Sequence, residues 1–263
     1  MLEVSEQGSY GATTEELNQT AKAIVLASDF YLISRTLKED RADPIAKELK
    51  VALGGTLNEV ETRKKSAYDI QSQFWVGMVL AYSGLHPSVP DSEKRKPDFV
   101  INVGSLPCGL EVKRPQTQAS AWPALASAAS QLREYGLPGV IVLDLTSCIE
   151  ADNLILHEGI ISARELVRRR FFPLVNQLAE AARDYSQSDK FDRILLLKMY
   201  ARFFSWTLGK KDDADIGFFF KSIVLPKACS GLVINESERI QDLIVHGLER
   251  ASGNLTSTRR TWK

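Results

Sequence analysis

The spacing of hydrophobic and polar positions changes several times along this chain, and each change marks an element. From Ser66 to Tyr82, Ile70, Phe74, Val76, Gly77, Leu80 and Ala81 recur at helical spacing, and Gly84 follows as a stop. Pro97 to Val103 and the stretch closing at Glu111-Val112-Lys113-Arg114-Pro115 then read as two short strands joined by a Gly/Ser/Pro turn. His86 to Pro97, just before them, reads as a loop or short strand rich in Pro, Ser and charge. A helix is expected from about Trp122 to Tyr135, with Ala124, Leu125, Ala128, Ala129 and Leu132 as a stripe of small and apolar residues able to lie close on a sheet. Val140 to Leu145 is a continuous apolar run of buried-strand type. Ser162 to about Tyr185 is helical in pattern, with Pro173 as a point of kinking. Arg193 to Trp206 and Gly217 to Leu225 read as strands, and Glu236 to Arg250 as a final helix.

Upstream, helical spacing of Leu17, Ala21, Ile24, Val25, Tyr31 and Leu32 and a restart at Asp43-Pro44 predict an N-terminal helical segment over residues 1–60. Residues 61–250 form one mixed α/β unit by this reading, and 251–263 a tail. Composition adds few constraints: 44% hydrophobic and 25% charged residues describe an ordinary globular chain of 263 residues, and the formal net charge of zero announces no polyanion partner. Cys108, Cys148 and Cys229 are an odd, widely spaced trio, read as reduced thiols and not as a disulfide frame or zinc site. No apolar run approaches the roughly 18 residues of a membrane span, and the polar N-terminus does not resemble a signal peptide, so a cytoplasmic protein without membrane contact is expected.

Chemistry concentrates on the strand pair. Asp98 opens the first strand, and Glu111 and Lys113, two apart on the second, share one face of the pleat while Val112 points to the other. Two acids and a lysine on one patch are the parts of a metal-dependent phosphodiesterase site. The other chemical classes lack their parts. No Gly-rich phosphate loop precedes a helix, no Ser or Cys nucleophile motif is present, and His86, His157 and His246 lack metal-ligand spacing. Arg168-Arg169-Arg170 reads as a solvated helix face, and Phe203, Phe204, Trp206 and Phe218 to Phe220 as packing residues.

Pro97-Asp98 followed by Glu111-Val112-Lys113, between a helix and a helix-strand pair, resembles the signature of the PD-(D/E)XK nuclease superfamily. Gln131-Leu132-Arg133-Glu134-Tyr135 is similar to the Gln-x-x-x-Tyr element of its RecB-like and phage-exonuclease branch. The resemblance covers about a third of the chain. It implies a restriction-endonuclease-like mixed sheet flanked by helices with an αβββαβ core, to which the periodicity of the remaining chain adds a C-terminal αββα extension. It also implies a nuclease acting on phosphodiester bonds in DNA, in restriction, defence or mobile-element biology. Asp98, Glu111, Lys113 and Gln131 would be catalytic. Mg²⁺, replaceable by Mn²⁺, would be held by Asp98, Glu111 and the Val112 backbone carbonyl, with Asp69 as a further ligand and Glu59 behind it. Many members place an acid on the preceding helix, and here Gln73 stands at about that position. Lys64, Lys65, Lys94, Arg95, Lys96, Arg114 and Tyr135 would contact nucleic acid, and a homodimer or partner subunit is expected. The competing expectation is a catalytically silent protein of the same fold that binds nucleic acid or a partner protein.

Overall fold

A computed structural model describes residues 67–90, 96–103, 105–149, 160–185, 191, 193–207 and 213–225, together with positions 239, 242 and 243. The expected N-terminal helices, most of the expected final helix, and the C-terminal tail lie outside the described residues. The elements are helix α1 (Ala67–Tyr82), strands β1 (Phe99–Val103) and β2 (Leu106–Lys113), helix α2 (Gln118–Tyr135), strand β3 (Gly139–Asp144), a 3-10 turn (Ser147–Ile149), helix α3 (Ile160–Tyr185), and strands β4 (Ile194–Thr207) and β5 (Asp213–Val224). The five strands form one mixed sheet in the order β1-β2-β3-β4-β5. The two outer pairs are antiparallel hairpins, and the two inner pairs, β2-β3 and β3-β4, are parallel. The chain is therefore α/β, with α2 and α3 serving as the crossovers that parallel pairing requires.

The pleat divides the core into two layers. Val140 and Val142 of β3 pack with Phe99, Leu110, Val112, Leu196 and Tyr200 under α1. Ile141 and Leu143 face the opposite way and pack with Ala121, Leu125, Ala128, Leu132, Val167, Phe171 and Leu197 under α2 and α3. All six residues of β3 are buried, as a central parallel strand covered on both faces requires. Every side chain from Gln71 to Leu80 of α1 is also buried, including Gln71, Ser72 and Gln73, so its polar residues must find partners inside. Among the described residues, no helix is long and apolar enough to cross a membrane.

Several details depart from the sequence expectation, and β5 begins at Asp213, four residues before the expected Gly217. The three-stranded meander before α2 is reduced to β1, β2 and a single antiparallel bridge, in which Ser88 and Val100 exchange backbone hydrogen bonds of 2.9 and 2.8 Å. Pro87 and Pro90 flank Ser88, and a proline offers no N–H with which to extend a ladder. Helix α2 begins four residues before Trp122, because Thr117 caps it. The Thr117 side chain accepts from the Ser120 N–H at 3.2 Å, and the Ser120 hydroxyl accepts from the Thr117 N–H at 3.0 Å. Pro123 is exposed and the helix continues through it, as α3 does through Pro173.

Close approach of α2 to the sheet depends on Gly109 and Gly139, which face each other across β2 and β3. A Cβ at Gly139 would stand 2.5 Å from Leu132 Cδ1, and one at Gly109 would stand 2.7 Å from Leu132 Cδ2. Leu132 is fully buried and has nowhere to retreat. Gly139→Ala is expected to lower stability by about 1–3 kcal/mol through overpacking, read as a shift in Tm. The cost should shrink in a Leu132→Ala background; strict additivity in that double-mutant cycle would mean that Leu132 is not the obstructed group.

Candidate active site

The alternation that sends Leu110 and Val112 toward α1 sends Glu111 and Lys113 toward α2. Asp98 lies at the bend that enters β1, one position before the Phe99–Leu110 pair, and so comes beside Glu111. Its backbone N–H donates to Glu111 Oε2 at 3.2 Å, and the Val112 N–H donates to Asp98 Oδ2 at 2.9 Å. The Lys113 ammonium pairs with Glu111 Oε1 and lies 3.4 Å from Gln131 Oε1. From α2, the Gln131 amide donates to the Lys96 carbonyl at 2.5 Å, joining the helix to the segment that leads into Asp98. From α1, Gln73 Nε2 donates to Asp98 Oδ1 at 2.6 Å. Asp98, Glu111, Lys113 and Gln131, separated by up to 33 positions in sequence, thus form one connected set, with Gln73 as a fifth member.

Burial sets the electrostatics. The Glu111 side chain is 1% exposed, against 28% for Lys113, so Lys113 is the member of the pair that solvent can reach. Burial, followed by the negative charge of Asp98, pushes the Glu111 carboxyl up to about 7, while Lys113 pulls in the other direction. Two adjacent carboxylates answered by one lysine suit a divalent cation. With backbone oxygen and water completing the shell, the donor set fits one Mg²⁺ or Mn²⁺. Among the described residues, no three His, Cys, Asp or Glu side chains come together. Asp69 is half-buried in the first turn of α1, one turn before Gln73 on the same face.

The expected nucleic-acid contacts are distributed differently. The Lys96 ammonium donates to the Pro90 carbonyl at 2.8 Å. Arg114, one residue past Lys113, is 8% exposed and belongs to the opposite face of the sheet, where its guanidinium donates to the Ser147 hydroxyl at 3.2 and 3.3 Å. Tyr135 is half-buried at the end of α2. Lys64, Lys65, Lys94 and Arg95, together with Glu59, lie outside the described residues. Arg168 and Arg169 are exposed and paired with Glu165, as expected of a solvated helix face, whereas Arg170 is half-buried and donates to the Ile149 carbonyl at 3.2 Å.

On the α1 side, the sequence reading missed a second polar group centred on Asp144, which is fully buried at the end of β3. Ser72 Oγ donates to its Oδ2 at 2.7 Å and the Tyr200 hydroxyl at 3.0 Å, and Thr146 donates to Oδ1 through both its N–H and its hydroxyl. Arg202 approaches within 3.7 Å. Burial by itself would push the Asp144 carboxyl up; Arg114, Arg202 and the hydroxyls of Thr146 and Ser72 outweigh it and hold the group below its ordinary value. Cys108 and Cys148 are buried free thiols, and burial pushes Cys148 up to about 12, which leaves it inert.

No family model, curated protein or solved structure matches the chain.

The raised Glu111 carboxyl makes stability depend on pH. Its folded value of about 7 exceeds the ordinary 4.5, so its contribution is present below about pH 4.5 and is lost as pH rises toward 7. In cation-free buffer, wild type is expected to lose on the order of 2 kcal/mol between pH 5 and pH 8 relative to Glu111→Gln. Denaturant titrations at the two pH values measure this, and equal slopes for the two proteins would show that Glu111 does not carry the proton.

Proposed function

We propose that this chain is a metal-dependent nuclease of the PD-(D/E)XK type, hydrolysing phosphodiester bonds in DNA. The observation that carries the reading is the convergence of Asp98, Glu111 and Lys113 on one patch, with Gln131 reaching it from the following helix. A restriction-endonuclease-like core, as the finer description of this α/β sheet, belongs to the same proposal.

Asp98 and Glu111 would hold the divalent cation, with the Val112 carbonyl as a third oxygen. The cation, when bound, would neutralise phosphate charge and make a water more nucleophilic. The protein's own contribution is placement. The Val112 and Gln73 donors fix the Asp98 carboxylate, leaving it little freedom to turn. Glu111 is held by the Asp98 N–H and by Lys113, so the two carboxylates keep their spacing. Lys113 is tethered between Glu111 and Gln131, yet its side chain remains partly exposed. From there it donates to a non-bridging phosphate oxygen, where negative charge grows as water attacks, and orients that water. Gln131 acts through Lys113 and through the Lys96 carbonyl, limiting how far the lysine can swing.

Alanine at Asp98, Glu111 or Lys113 is expected to lower cleavage of linear, nicked or single-stranded DNA in Mg²⁺ or Mn²⁺ by at least about 100-fold. Gln131→Ala should have a smaller effect. Cleavage that survives all three alanine substitutions would refute the assignment of this site. Salt-dependent DNA binding by a wild type that cuts neither DNA nor RNA would favour a silent binding protein of the same fold.

A further inference from the structure

We propose that Gln73 restricts the site to a single divalent cation, by holding Asp98 through its amide nitrogen and withholding the α1 side of that carboxylate from a second ion. The inference rests on the metal-dependent reading of the site and adds a positioning residue to it.

The orientation of the Gln73 amide follows from its partner. An ionised carboxylate only accepts hydrogen bonds, so at 2.6 Å from Asp98 Oδ1 the amide must present its nitrogen. An N–H group then points along the line by which an ion on the α1 side would approach Oδ1. The Val112 N–H takes Oδ2 from the β2 side at 2.9 Å. A cation held jointly with Glu111 would approach from the side the two carboxylates share.

Gln73 is also held against rotation. Ser72, its neighbour on α1, donates to Asp144 at 2.7 Å with both residues fully buried. One turn further on, Gly77 lies against the Phe99 ring, where a Cβ would stand only 3.1 Å away. These two contacts set the rotation and the height of α1 over the sheet, and so set the reach of Gln73. Asp69 stands one turn earlier than Gln73 on the same face of α1.

Formal charge agrees with a single ion. With Asp98 and Glu111 ionised and Lys113 counted as a cation, the group carries one net negative charge. One divalent cation makes that one positive, which a phosphodiester neutralises. A second would raise the net charge of the group to three positive, more than one phosphodiester can neutralise.

Mn²⁺ titration of the full-length protein, followed by electron paramagnetic resonance of the free ion, tests the proposal without reference to cleavage. Wild type is expected to bind one Mn²⁺ that Asp98→Ala loses, and Asp69→Ala should leave the count at one. Gln73→Glu should bind two. Gln73→Ala, which removes the guarding amide, should likewise admit a second ion, more weakly than Gln73→Glu. Circular dichroism of each variant reports its folding, and Gln73→Ala serves where the added carboxylate unfolds the chain. Two ions in wild type would overturn the proposal, as would unchanged count and affinity in both Gln73 variants. No Mn²⁺ bound by wild type, or binding that persists in Asp98→Ala, would instead refute the metal-site reading and this proposal with it.

Discussion

How near two helices lie to the sheet decides whether this site exists. The carboxylates and the lysine come from β1 and β2, but the groups that fix them, Gln73 and Gln131, come from helices on opposite faces. A glutamine side chain reaches only a few ångströms, so each helix must be drawn in. On one face, Leu132 sits over the Gly109–Gly139 pair, where a Cβ on either strand would displace it, and Gln131 is the preceding residue. On the other, Gly77 meets Phe99 and brings Gln73 onto Asp98. Packing at backbone positions without side chains is thus converted into hydrogen-bond geometry at charged ones. Small residues elsewhere on α2, the buried Ala121, Ala128 and Ala129, serve the same end.

The strand pair and the helix-strand order after it were legible in the sequence because both rest on local periodicity. Alternation placed Glu111 and Lys113 together, and the apolar run placed β3 at the sheet centre. The same alternation separates Arg114 from Lys113, a signal that the expectation of a nucleic-acid contact at Arg114 does not use. The start of α2 was missed because its cap is Thr117 with Ser120, a weaker signature than the Thr-x-x-Glu form, and because Pro123 invites a later start. Asp144 looked like the end of an apolar strand. Its partners Ser72 and Tyr200 are 72 and 56 positions away, and only the folded sheet and α1 bring them together. The donor role of Gln73 was hidden for a similar reason: its position along α1 could be counted, but the height of α1 over the sheet could not.

Glu111 and Asp144 form a natural comparison. Both are buried acids on adjacent strands, one on each face of the sheet, and burial raises both carboxyls. Their neighbours decide opposite outcomes. Asp144 receives hydroxyl and N–H donors from Ser72, Thr146 and Tyr200 and lies near two guanidiniums, so its charge is answered from within the fold. Glu111 has one lysine, and a second carboxylate beside it, so its charge is answered only in part. A fold selected for stability alone would gain from treating Glu111 as it treats Asp144. An acid buried beside another acid, with the lysine that pairs it partly open to solvent, is the imbalance that the proposed cation and phosphate would answer.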